Sequence, residues 1–297
     1  MDIRNVQKTG NMHYVYLPTS WCKKHKITSS SKLTLRETSQ GALTLLPHIK
    51  EKTEKNIVLN LSETNLDIIH KLIIACYINP TSSFKINLQK EINSSAMLNE
   101  RKLISLENVE INNRQISCES TVTVSDPASL LKTMVGKIKN LLVIMLENYS
   151  KDIINRYEEE IDKSKLLIEK SVVSSLTFTE PTNLKLIDLY YISTISKELE
   201  RIVDNLIVLD KKEKELLNHS LIAINSLKEI LEGKNLEQGK KLEHSTAIEF
   251  VKRTLSMQNI EIKSNSKGIT NIANSFINIS DVILDWSITN QLEESSD

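Results

Sequence analysis

KELERIVDN, Lys197 to Asn205, decides how the C-terminal half of this chain is read. It lies in a run from Leu184 to Leu209 with apolar residues at Ile192, Ile195, Leu199, Ile202, Leu206 and Leu209. Steps alternating between three and four residues make a helix-bundle seam. Glu200 and Asp204 are four apart, which stacks their carboxylates on one side of that helix. Upstream, Glu158 and Asp162 repeat the spacing beside a second seam of Ile154, Tyr157, Ile161 and Ile168. At about 100° per residue, Glu158 and Asp162 flank their seam, while Glu200 and Asp204 lie well away from theirs, toward solvent. The seams therefore predict packing that needs no metal. Two carboxylate pairs on two helices nonetheless offer a site to a divalent or iron-type metal. Oxygen-only ligands favour Mg, Mn, Fe or Ca over a structural zinc. Solvated helix carboxylates that serve only surface pairing are the competing reading.

The rest of the C-terminal part, 126–297, follows the same period. Helices are expected near 128–149, 151–176, 181–211, 213–233, 235–258 and 265–290. Asp126 can cap the first of them, with Pro127 at the first helical position. Short breaks make this an all-α bundle, and comparison of its halves gives two three-helix repeats, 128–211 and 213–290. The second repeat, aligned by its apolar residues, leaves Ser245 and Glu249 at one pair of positions and Ile277 and Asp281 at the other. Each pair there keeps one carboxylate.

Upstream, 51–125 alternates strand and helix as βαβαββ. NIVLNLS is a strand, Ser62 or Thr64 could cap LDIIHKLIIACYIN, and Pro80 ends that helix. SFKINLQ, a helix near 94–106, and the pair NVEINN and QISCESTVTV complete the set. This order predicts a small ferredoxin-like αβ domain. With no glycine-rich loop, its default role is a spacer, a dimerisation surface or a small-ligand sensor.

Residues 1–50 read as a β module: IRNVQKT, a Gly10-Asn11 turn, HYVYLP, a short helix in TSWCKKHK capped by Thr19 or Ser20, KLTLRET, a Ser39-Gln40-Gly41 turn, and ALTLLP. The whole chain is neutral, with 38 basic and 38 acidic residues. Residues 1–50 hold eight Lys or Arg against two Asp or Glu, a net of +6, so the remainder nets −6. Such a split assigns contact with a polyanion to the first module. Arg4 and Lys8 fall on one face of the first strand by parity, and Lys23, Lys24 and Lys26 cluster at the end of the short helix. The competing reading is a soluble surface, with the helix dipole favouring cations at its C-terminal end. So small a module buries little alone, which predicts pairing with a copy of itself.

These stretches resemble known families. RNVQKTGN, the YVYLP strand entering a basic helix, and the closing strand–turn–strand with Gly41 resemble the AbrB/SpoVT swapped-hairpin DNA-binding family. EEEID, with Glu158 and Asp162, and ELERIVDN, with Glu200 and Asp204, resemble the motifs of the PhoU family of phosphate-transport and phosphate-sensing regulators. The three-module order is similar to that of archaeal PhoU-like regulators. The resemblance implies an N-terminal DNA-binding module, a homodimer or higher assembly, and a bundle that senses phosphate status or contacts a phosphate transporter. It also implies metal on the surface carboxylates Glu158, Asp162, Glu200 and Asp204. A modulator of a phosphate transporter that does not bind DNA, or an antitoxin-like regulator, are the alternative readings.

Enzymatic chemistry finds little in the sequence. No Walker loop, nucleophile elbow or HExxH motif occurs, and no histidine lies three residues after a motif glutamate. His13, His25 and His48 show no ligand spacing. Cys22, Cys76 and Cys118 form no CxxC pair, which points to free thiols in a reducing cytoplasm. Without an apolar leader or a long apolar run, neither secretion nor membrane insertion is expected.

Overall fold

The computed structural model describes residues 3–37, 42–47, 56–79, 83–98, 109–119, 126–177, 184–209, 213–233, 242–257 and 266–292. The turn at Ser39 to Gly41, the charged stretch 49–55, Pro80, His48 and the far end of the helix expected near 94–106 lie outside them. The fold is mixed α+β with a C-terminal helical region. The chain divides into two compact units, Met1–Glu54 and Lys55–Asp297.

The first unit holds two separate antiparallel hairpins around one short helix. β1 (Gln7–Thr9) pairs with β2 (Met12–Tyr14), and Gly10 makes the turn at φ 61°, the left-handed region where glycine meets no Cβ penalty. Helix α1 (Thr19–Lys24) follows. Its cap is Pro18, without a side-chain hydrogen bond, and not Thr19 or Ser20. The extended backbone fixed by the proline starts the helix at Thr19, leaving that hydroxyl inside the first turn. β3 (Leu33–Glu37) and β4 (Leu43–Pro47) form the second hairpin, with Leu35 opposite Leu45. No described residue of this unit is buried. Ile3, Val6, Met12, Val15, Tyr16, Leu35 and Leu43 are each more than half exposed.

The second unit begins with a sheet in the order β5-β6-β8-β7. β5 (Asn56–Leu61) and β6 (Ser83–Leu88) are parallel neighbours joined through α2 (Leu66–Ile78). After α3 (Ser94–Leu98), β7 (Val109–Ile111) and β8 (Gln115–Glu119) form a hairpin whose second strand pairs antiparallel with β6. The first two strands lie side by side, whereas a ferredoxin-like sandwich separates them with another strand. The βαβαββ order is present, but the strand arrangement is a simple βαβ unit widened by a hairpin. Element order alone does not fix strand order. The α2 cap is Asn65, accepting from the N–H groups of Asp67 and Ile68, and not Ser62 or Thr64.

The helical region follows the expected order, although the helix expected near 181–211 spans 186–206, and the one expected near 235–258 is helical over 244–255, with 235–241 outside the described residues. It comprises α4 (Pro127–Glu147), α5 (Lys151–Thr177), α6 (Leu186–Leu206), α7 (Lys214–Gly233), α8 (His244–Leu255) and α9 (Lys267–Leu292). Asp126 caps α4 by accepting from Ser129 N–H at 2.8 Å. Ile192, Ile195, Leu199, Ile202 and Leu206 are buried, as are Ile154, Ile161 and Ile168 across from them. One apolar core runs through all six of these helices. The sheet has its own core against α2, and Leu166 of α5 belongs to it. Helix α5 therefore serves two cores, with Ile161 and Ile168 in one and Leu166 in the other.

Polar pairs tie α6 to α9 along their length. Trp286 Nε1 donates to Asp188 Oδ1 at 2.5 Å in a buried contact, and Tyr191 shares a hydrogen bond with Thr289 at 2.8 Å. Asn278 donates to Glu198 at 3.3 Å and Asn271 to Asn205 at 3.0 Å. The pairing of low numbers with high numbers shows that the two helices run antiparallel.

Candidate functional site

The three acidic residues of the opening stretch point in two directions. Glu198 is buried, accepting from Asn278 of α9 and pairing with Arg201 at 2.6 Å. Glu200 and Asp204 lie one turn apart on the side of α6 that faces α5. There they meet Asp162. Each of the three offers a carboxylate oxygen, and these oxygens lie within 4.8 Å of one another. Asp162 and Glu200 are half-buried and Asp204 is exposed. Among the described residues this is the acidic group that could hold a metal ion.

The spacing suits an oxygen-seeking cation. Ligand oxygens about 2.3–2.6 Å from a calcium-sized ion can be separated by up to roughly twice that distance. Three carboxylates on two packed helices therefore need little movement to converge. A smaller cation would draw them closer and fill its shell with water. Glu158, the fourth expected ligand, lies one turn before Asp162 on α5 and is not part of the group. Its Oε2 is shielded from solvent. Without histidine or thiolate in the group, the donor set gives no reason to expect zinc.

The corresponding positions of the last three helices have no such cluster. Glu249 on α8 accepts from Arg253 at 2.5 Å, and Ser245 beside it donates to Glu243 at 3.4 Å. Asp281 and Asp285 on α9 are exposed.

The basic cluster of the first unit is built on one helix end. Lys23 and Lys24 occupy the last turn of α1, His25 closes it, and Lys26 follows at φ 52°. Lys26 N–H donates to Lys23 C=O at 3.3 Å, and Ile27 N–H donates to Cys22 C=O at 2.9 Å. These two bonds are the Schellman arrangement, whose left-handed position usually carries glycine. Here it carries a lysine, and Lys23, Lys24 and Lys26 are all exposed. Lys8 sits in β1 opposite His13. Arg4 precedes the strand, which begins at Gln7. Strand parity therefore does not place Arg4 and Lys8 on one face.

One charged residue escaped the sequence reading. Lys170 on α5 is buried, with its Nζ 4.3 Å from the centre of the Tyr77 ring of α2. Burial lowers its pKa, and burial raises those of Cys118 and Cys76 nearby in the sheet core. The signal available was a second stripe on α5, Leu166 followed four residues later by Lys170. It could be recognised only by knowing that α2 packs there.

Among the described residues no helix is long and apolar enough to cross a membrane. No protein-family model, curated protein or solved structure matches the chain.

Proposed function

We propose that this protein is a DNA-binding transcriptional regulator linked to phosphate uptake, with a helical region that responds to a bound cation or a partner protein. The observation that carries the DNA reading is the exposed end of α1. Three lysines converge there, one of them held in a backbone conformation that suits glycine, within a stretch of net charge +6. Lysines gathered in this way neutralise phosphates and release counterions, which gives affinity that falls steeply with salt. The absence of any buried residue among those described in the first unit supports pairing with a second copy, in the manner of a swapped-hairpin dimer. The link to phosphate rests on the resemblance of ELERIVDN to the PhoU motif. Under this reading the Asp162, Glu200 and Asp204 cluster supplies the sensing element.

The test is a gel-shift titration of promoter DNA at several salt concentrations. Affinity should fall linearly on logarithmic axes, and the Lys23→Glu, Lys24→Glu double variant should lose binding. Lys26→Gly is the sharper probe. Glycine relieves the left-handed backbone by about 1 kcal/mol, so the module stays folded, while the salt slope should drop by about one unit. Binding that ignores salt, or survives the double variant unchanged, would remove the DNA assignment. A phosphate-transporter modulator that does not touch DNA would then be favoured.

A further inference from the structure

Strand β5 forms one edge of the four-stranded sheet, and β7 forms the other. Among the described residues the β7 edge is short, Val109–Ile111, and carries Glu110 in its middle. Edges of β-sheets are usually blunted by such shortness, by charge, by proline or by a bulge. Among its described residues β5 has none of these devices. Its six residues read Asn-Ile-Val-Leu-Asn-Leu, and Val58 at the centre is 58% exposed.

The ladder shows which backbone groups face outward. Leu61 C=O accepts from Gln89 N–H at 2.8 Å, on the β6 side. Alternate residues of a strand direct their N–H and C=O the same way. Ile57, Leu59 and Leu61 therefore bond toward β6. Asn56, Val58 and Asn60 present theirs outward, and among the described residues no strand pairs with that row.

We propose that this edge pairs antiparallel with β5 of a second copy of the chain, centred on Val58, to give one continuous sheet across two copies. The strand is chemically the same in both directions about that centre: amide, aliphatic, valine, aliphatic, amide from Asn56 to Asn60. In this register Val58 meets the partner's Val58, and Asn56 meets the partner's Asn60. These are the outward-facing residues, so each such pair exchanges two N–H···O bonds. Ile57 then lies opposite the partner's Leu59 on the core side, which keeps both apolar faces together. Centring on Leu59 instead would set Val58 against the partner's Asn60 and push Asn56 beyond the strand end. No charge lies on either strand, so like charges never meet. Asn56 and Asn60 are already oriented, accepting from Ser83 at 2.8 Å and from Asn87 at 2.9 Å.

This contact is separate from any pairing through the first unit, and its test reads it separately. Hydrogen exchange of the Asn56, Val58 and Asn60 amides is measured on the full-length chain at rising protein concentration. Protection of at least about tenfold is expected to develop with concentration. Val58→Pro removes an N–H that faces away from β6, so the intrachain sheet persists and only the protection should vanish. Val58→Lys places two like charges opposite each other and should give the same loss without altering the backbone. Far-UV circular dichroism verifies that both variants remain folded. Rapid exchange at every concentration would overturn the proposal. So would protection that survives both substitutions, because the edge would then be covered by something other than a second copy.

Discussion

The first three helices of the C-terminal region and the last three keep the same kind of seam and differ in the polar face. Ile195, Leu199 and Ile202 on α6 are matched by Ile272, Phe276 and Ile279 on α9, and all are buried in one core. On the polar side, α5 and α6 bring three carboxylates together, whereas Glu249 on α8 is tied to Arg253 of its own helix. The fold lives in the seam, where removing a methylene group is felt at once. The polar face is free of that demand and can gather carboxylates on one side and not on the other.

The comparison breaks most completely where the two sets of helices are joined. Trp286 is fully buried, packs 5.4 Å from the Tyr191 ring, and donates to Asp188. Trp286→Ala should destabilise by about 3–5 kcal/mol from lost burial and the cavity left behind, and it also removes one of the donors to the buried Asp188 carboxylate. Urea denaturation of this second unit would show the midpoint fall. A next, smaller effect sharpens the contrast in the acidic face. Calcium or manganese added at about a hundredfold over its dissociation constant should raise stability by about 2.7 kcal/mol. Asp162→Asn and Glu200→Gln should abolish that gain, while Asp281→Asn should leave it intact. A thermal melt with and without metal, on all four proteins, decides whether only one side of the region binds cations.

The smallest effect concerns an ion pair found between α4 and α5. Lys137 Nζ donates to Glu160 at 2.8 Å, and this bond with its positive charge lowers the Glu160 pKa below its usual 4.5. The folded state therefore binds fewer protons than the unfolded chain just below that value. The stabilisation is complete above about pH 4.5 and is lost as the pH falls through the lowered pKa. Glu160 is more than half exposed, so solvent screening holds the contribution below about 1 kcal/mol. Glu160→Gln should reduce stability slightly at neutral pH, and the difference from wild type should fade as the pH falls through the lowered pKa.

Much of the helical region was legible because long amphipathic runs declare their period. The seam in KELERIVDN and the cap at Asp126 are local facts of that kind. Of the four carboxylates expected to converge, Asp162, Glu200 and Asp204 come together, since carboxylates four apart on two helices can meet only if those helices pack side by side. Glu158 falls outside because the crossing of α5 and α6 selects one turn, and sequence spacing does not say which. Glu198 looks like its neighbour Glu200 in sequence, yet two residues of rotation send it to α9. The sheet order was not legible: whether β5 and β6 are adjacent depends on what lies between them in space. Asp188 and Trp286 are 98 residues apart, and no local pattern links them.

Helix α5 belongs to two cores at once, and this restricts how its sequence can change. Most helices of a globular protein can absorb a shift in phase, because one face is open to water and tolerates whatever rotates onto it. α5 has Ile161 and Ile168 committed on one side, Leu166 and Lys170 on another, and Asp162 turned toward α6. A single inserted residue after Asp162 would turn everything beyond it by about 100°. Ile168 would leave its seam, Leu166 would leave the sheet, and neither loss could be repaired without the other. Length, not composition, is the property of this helix that is least free to drift.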